Sequence, residues 1–81
     1  MRITVRFFAI IRERAGVSSI ELDLQHGATV DDAAQRIAEQ FPAIATMLPR
    51  IAWAVNQVYA DRTAALHDGD ELALIPPVSG G

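Results

Sequence analysis

The sequence predicts an α+β fold: a two-layer roll in which one principal helix lies across one mixed sheet. Three observations carry that expectation. Apolar and polar residues alternate over 3–8 and again over 20–24, the period of strands with one covered face. Val30, Ala34, Ile37 and Phe41 fall at helical spacing on one face. Two more apolar stretches, 51–60 and 72–75, follow that helix.

Taken in order, the first strand sets Ile3, Val5 and Phe7 against Thr4, Arg6 and Phe8. Successive side chains of a strand point to opposite faces, so Phe7 and Phe8 must diverge. With one face covered by the helix, one of the two is exposed, and an exposed aromatic marks a binding surface. Ile10 to Gly16 reads as a helical turn or loop closed by the glycine. Ile20, Leu22 and Leu24 alternate with Glu21 and Asp23 as a second strand, antiparallel to the first. Thr29 is a good N-cap, Asp31 and Asp32 sit in the first turn where the helix dipole favours negative charge, and Pro42 stops the run.

The segment Ala43 to Arg50 is a second short helix or an irregular crossover. The stretch 51–60 is apolar nearly throughout, as expected of one strand buried on both faces. Asp61–Arg62 turns into a short further stretch, Asp68–Gly69 is a strong turn signal, and Leu72 to Ile75 forms the last strand. The predicted order is β-β-α-(short α)-β-β-β, one domain over 1–76 with an extended tail over 77–81.

Composition excludes several kinds of chemistry. The 81 residues are 51% apolar, a globular proportion, although 14 of them are alanine. There is no cysteine, hence no disulfide, thiolate nucleophile or cysteine-based metal site. All seven basic residues are arginine and the net charge is −3, whereas nucleic-acid binding wants a concentrated basic face. No charge-free run exceeds ten residues, too short to span a membrane. The opening segment carries Arg2 and Arg6 and lacks the apolar stretch of a signal peptide, so a soluble cytoplasmic protein is expected.

His26 and His67 both fall in turns, and without a third histidine or a cysteine they make no metal site. The run from Asp68 to Glu71 lacks the length and late glutamate of a calcium loop. Ser18, Ser19 and Ser79 have no recognisable base partner. The tail remains. Pro76 and Pro77 cannot donate backbone hydrogen bonds and favour an extended conformation, holding Val78 and Ser79 away from the body. Gly80 and Gly81 carry no side chain, so a terminal carboxylate there can pass down a tunnel too narrow for a Cβ. Such a tip reads either as a frayed end or as a reagent.

Phe7 to Gly16, the Ala54–Gln57 run AVNQ and above all Leu66 to Gly81 resemble the small, ubiquitin-like sulfur-carrier subunit of molybdopterin synthase, in the same order along the whole chain. The resemblance implies a β-grasp roll with a mixed sheet of four to five strands, one main helix and a flexible C-terminal tail. It also implies that an activating adenylyltransferase uses ATP to adenylate Gly81, and that a sulfurtransferase donor converts the adenylate to a thiocarboxylate. The loaded tail, Pro76 to Gly80, would then thread into the large synthase subunit and give its sulfur to a cyclic pyranopterin monophosphate. The chain would be no enzyme on its own and would hold no stable cofactor. Hydrophobic partner contacts are implied at Phe7, Tyr59 and Ile75, as one apolar patch on the sheet face away from the helix. Rival readings are a sulfur carrier for thiamine or cysteine synthesis, a ubiquitin-like protein modifier, and an interaction domain with an inert tail.

Overall fold

A computed structural model describes residues 1–77. The two-layer roll is what forms. Strand β1 (Arg2–Phe7) buries Ile3, Val5 and Phe7 and turns Arg2, Thr4 and Arg6 outward. Helix α1 (Ala9–Ala15) follows and ends at Gly16, whose φ of 82° lets its N–H donate back to the Arg12 carbonyl. Strand β2 (Ser19–Asp23) then pairs antiparallel with β1, from Arg2 opposite Asp23 to Arg6 opposite Ser19.

Helix α2 (Val30–Gln40) starts where its chemistry says it should. Thr29 Oγ1 accepts from the Asp32 amide at 3.3 Å, while Asp32 Oδ2 accepts from the Thr29 amide at 2.8 Å, a reciprocal capping box. Its buried face is Val30, Ala33, Ala34 and Ile37. Pro42 does more than stop α2, because it occupies the first turn of a second helix, α3 (Pro42–Ala45). A 3-10 turn at Leu48–Arg50 completes the crossover.

The stretch 51–60 is not one strand. It is a hairpin of β3 (Ala52–Val55) and β4 (Val58–Ala60), reversed at Asn56 and Gln57. Both turn residues have positive φ, 51° and 70°, the signature of a two-residue turn whose twist matches that of its strands. Val58 and Tyr59 are exposed at the sheet edge, so continuous apolarity here does not signify burial on both faces. The further stretch expected after Arg62 reduces to one bridge between Thr29 and Ala65.

Strand β5 (Glu71–Ile75) is central, parallel to β1 and antiparallel to β3, giving the mixed order β2-β1-β5-β3-β4. Leu72 and Leu74 point into the core beside Val5, Phe7 and Trp53, and α2 covers that face. The Phe7 ring meets Phe41 edge-on, with centroids 5.3 Å apart. The segment between β4 and β5 is tied down over the start of α2. Val30 and Asp31 donate to the carbonyls of Ala64 and Arg62, and the Arg62 guanidinium reaches Asp31 at 2.7 Å. Among the described residues no helix is long and apolar enough to cross a membrane.

Candidate functional site on the open face of the sheet

Among the described residues no element covers the opposite face of the sheet, and strand register determines its contents. Arg6 pairs with Ala73, Ala73 with Ala54, and Ala54 with Tyr59. These four residues make one row across β1, β5, β3 and β4, with two alanines at its centre. Larger side chains surround the methyls, so the sheet is concave here. The depression, of about 340 Å³, is lined by Ala54 and Ala73, with Arg6, Phe8, Gln57, Tyr59, Glu71 and Ile75 around them.

Each wall is held by local chemistry. The Arg6 guanidinium lies 5.4 Å from the Phe8 ring centroid and 3.7 Å from the Glu71 carboxylate, so one cation braces an aromatic and an acid together. Asn56 fixes the hairpin turn to the start of β5: its Nδ2 donates to Asp70 Oδ1 and its Oδ1 accepts from the Glu71 amide, each at 2.9 Å. Ile75 closes the end of the depression from which Pro76 and Pro77 depart, the first half-buried and the second exposed.

The sheet's two edges differ in character. At β2, Arg2 pairs with Asp23 at 3.0 Å and Glu21 at 3.7 Å, a charged guard against further strand pairing. That hydrogen bond with Arg2 holds the Asp23 carboxyl below its ordinary range. At β4 the edge is Val58, Tyr59 and Ala60, without a charge. The apolar side of the molecule is therefore the β4 side, continuous with the depression.

The sequence expectations divide here. Tyr59, 74% exposed, and Ile75 both line the depression. Phe7 does not: it is 2% exposed and lies in the core, on the same strand parity as Ile3 and Val5. Phe8, 38% exposed, is the phenylalanine on the open face. Pro76 and Pro77 follow directly from β5, whereas Val78, Ser79, Gly80 and Gly81 lie outside the described residues. Sequence reasoning missed Arg6, Ala54 and Ala73 as parts of the site, and of the two phenylalanines it required to diverge it took the buried one. The signal for Ala73 was present, since it is a small residue on the outward parity of a strand otherwise made of larger ones; Ala54 shares its strand and parity with Ala52 and stands out less.

A second, polar concavity of about 400 Å³ lies between the β2–α2 loop and α2, lined in part by His26, Asp32, Gln35, Arg36 and Glu39. His67 is exposed, with Asp70 at 3.8 Å beside it. Among the described residues, no three His, Cys, Asp or Glu side chains are grouped to hold a metal ion. The open face is thus a surface that can bury a partner's side chains, and its Arg6–Glu71 ion pair is engaged in bracing a wall.

The sequence pattern of the ThiS family matches residues 5–81. The chain belongs to the ThiS family. It is 41% identical to a molybdopterin synthase sulfur carrier subunit of Chlamydomonas reinhardtii, with all of both chains covered. The crystal structure of SAMP1 from Haloferax volcanii superposes with a TM-score of 0.92 at 32% identity, again over all of both chains. A molybdopterin-converting factor of Helicobacter pylori, solved as a complex of its subunits 1 and 2, contains a chain matching at a TM-score of 0.73 and 26% identity, covering 100% of each. With these ThiS-family and SAMP1 likenesses, the mixed five-stranded sheet under α2 is a ubiquitin-like β-grasp, as the sequence led one to expect.

Proposed function

We propose that this chain is the sulfur carrier subunit of a molybdopterin synthase, and that it docks a large subunit through the open face of its sheet. One observation carries the reading. The central strand β5 supplies the floor of the apolar depression through Ala73, its rim through Ile75, and then runs directly into Pro76–Pro77. A partner that covers the depression is therefore placed to receive the tail.

The division of labour follows. The body binds and the tail carries. The Gly81 carboxylate is a poor electrophile, and an adenylyltransferase using ATP gives it AMP as a leaving group. Sulfide-level sulfur delivered by a sulfurtransferase donor then attacks the acyl carbon, forming the C–S bond as the C–O bond to AMP breaks, and leaves a thiocarboxylate that is ionised and more nucleophilic than an oxygen acid, as thiolates are. Gly80 and Gly81 have no Cβ to obstruct a narrow channel. Pro76 and Pro77 lower the ordering cost of insertion, because a stiff segment has less freedom to lose. Inside the large subunit the thiocarboxylate gives its sulfur to a cyclic pyranopterin monophosphate, and the groups acting on the pterin belong to that subunit.

The test is intact-protein mass spectrometry after incubation with adenylyltransferase, ATP and sulfur donor. The parent chain gains the mass difference of sulfur for oxygen, and a chain lacking Gly81 does not. Equal loading of the truncated chain refutes the reading. A second reading, a protein modifier, draws on the likeness to a small archaeal modifier protein 1 of Haloferax volcanii (30% identity, TM-score 0.88). It shares the adenylated end and differs in the acceptor: lysines of other proteins bearing a Gly-Gly remnant would favour it.

A further inference from the structure

The turn between β1 and α1 contains a backbone conformation that its sequence does not require. Ala9 has a φ of 51°, in the left-handed region, where a Cβ crowds the following carbonyl. Such residues persist only where the surroundings over-determine them, and they gather at binding and switching sites.

The surroundings here are explicit. Phe7 and Ile11 are both buried in the core, 2% and 0% exposed, and between them the chain must change from strand to helix. Phe8 remains extended, at φ −128° and ψ 152°, so strand alternation carries its ring to the open face. No side chain caps the helix that follows. The Phe8 carbonyl alone receives the amides of Ile11 at 3.1 Å and Arg12 at 3.3 Å. The reversal therefore falls on the backbone of Ala9.

 Glycine would adopt this conformation without strain, whereas alanine adopts it at a cost.

We propose that Ala9 is a positioning residue for partner docking: its left-handed backbone holds the Phe8 ring on the open face, as one wall of the depression beneath the Arg6 guanidinium. The inference rests on the docking role proposed above for that face. It adds that the wall is set by one strained residue, which itself need not touch the partner.

The experiment is a double-mutant cycle read by calorimetric titration with the large synthase subunit, with thermal melts to verify folding. Phe8→Ala should weaken binding about tenfold or more, the order expected when one large apolar side chain is lost from an interface. Ala9→Val, a β-branched residue for which positive φ is a true outlier, should weaken it comparably. The double variant should be no more than about threefold weaker than the worse single one, because both changes remove the same wall. Ala9→Gly reaches the left-handed region without penalty and should bind within about threefold of the parent. If Phe8→Ala binds like the parent, the docking face itself is wrong. If Phe8→Ala weakens binding but Ala9→Val does not, or if their losses multiply, only the role of Ala9 is overturned. A tenfold loss in Ala9→Gly also overturns it, by showing that the methyl rather than the backbone matters. One measurement is independent of whether any variant folds. In the parent chain, NMR should give Ala9 the strong intraresidue amide–Hα cross-peak of a left-handed residue, together with contacts from the Phe8 ring to Arg6. A negative φ for Ala9 in solution overturns the proposal.

Discussion

Phe7→Ala should strip this protein of a large share of its folding stability, while Phe8→Ala should cost it little. The two phenylalanines are adjacent, yet they are 2% and 38% exposed and lie on opposite faces of the sheet. Truncating a buried phenylalanine costs about 3–5 kcal/mol through lost transfer energy and the cavity left behind. Part of that is the edge-on contact of Phe7 with Phe41, and such pairs are worth about 0.5–1.5 kcal/mol beyond area burial. A domain of this size has roughly 4–12 kcal/mol of stability in total. Phe7→Ala therefore removes between about a quarter and all of it. Phe8 loses only a half-exposed ring and its contact with Arg6, so its truncation should cost under about 1.5 kcal/mol. Urea unfolding followed by fluorescence suits the comparison, because Trp53 is the sole tryptophan and is buried in the same core. A Phe7→Ala chain less than about 1 kcal/mol below the parent, with partner binding lost, would refute the assignment and return Phe7 to the docking surface.

Three further outcomes are expected. Ala73→Glu places a charge on the floor of the depression and should weaken large-subunit binding at least about tenfold, since a buried unpaired charge costs several kcal/mol; circular dichroism should show the fold retained, and undiminished affinity in calorimetry would place the interface elsewhere. Gln57→Gly relieves a left-handed residue in the β3–β4 turn and should stabilise by about 0.5–1 kcal/mol, raising the melting temperature by a few degrees; a fall would show that the turn is not of this type. Asp23 has its pKa lowered from 3.8 by the hydrogen bond with Arg2, so its contribution is complete above about pH 4 and is lost as the pH falls further. Both partners are exposed, so the effect is small, and it should appear as a shallower acid decline of the urea midpoint in Asp23→Asn than in the parent.

Much of the fold was legible because its signals are local. Thr29 and Asp32 satisfy each other's backbone within one turn, and the alternation of Ile3, Val5 and Phe7 needs only the pleat of a strand. The hairpin at 51–60 was hidden for a physical reason. Asn56 followed by glycine would have announced the turn, but Gln57 takes the positive φ instead. Val58 and Tyr59 then look like a continuation of the buried run, although they form an edge. The β5 strand was found, yet its central place in the sheet comes from pairing with β1 some 67 residues away in sequence, which no local pattern records.

The docking face was half legible, and the missing half turns on parity. A strand at the centre of a one-sided sheet serves two functions at once, with alternate residues. Along β5, Leu72 and Leu74 belong to the core, while Glu71, Ala73 and Ile75 belong to the open face. The same division runs along β1, where Phe7 follows the core parity and Arg6 and Phe8 the open one. Once Ile3 and Val5 are assigned to the core, Phe7 has no choice, because a one-residue slip would turn the whole strand inside out. The resemblance pointed to Phe7 as the partner contact; the pleat gives that place to Phe8. The small residues obey the same logic. Two alanines paired across the open face, at Ala54 and Ala73, leave room there for something from outside.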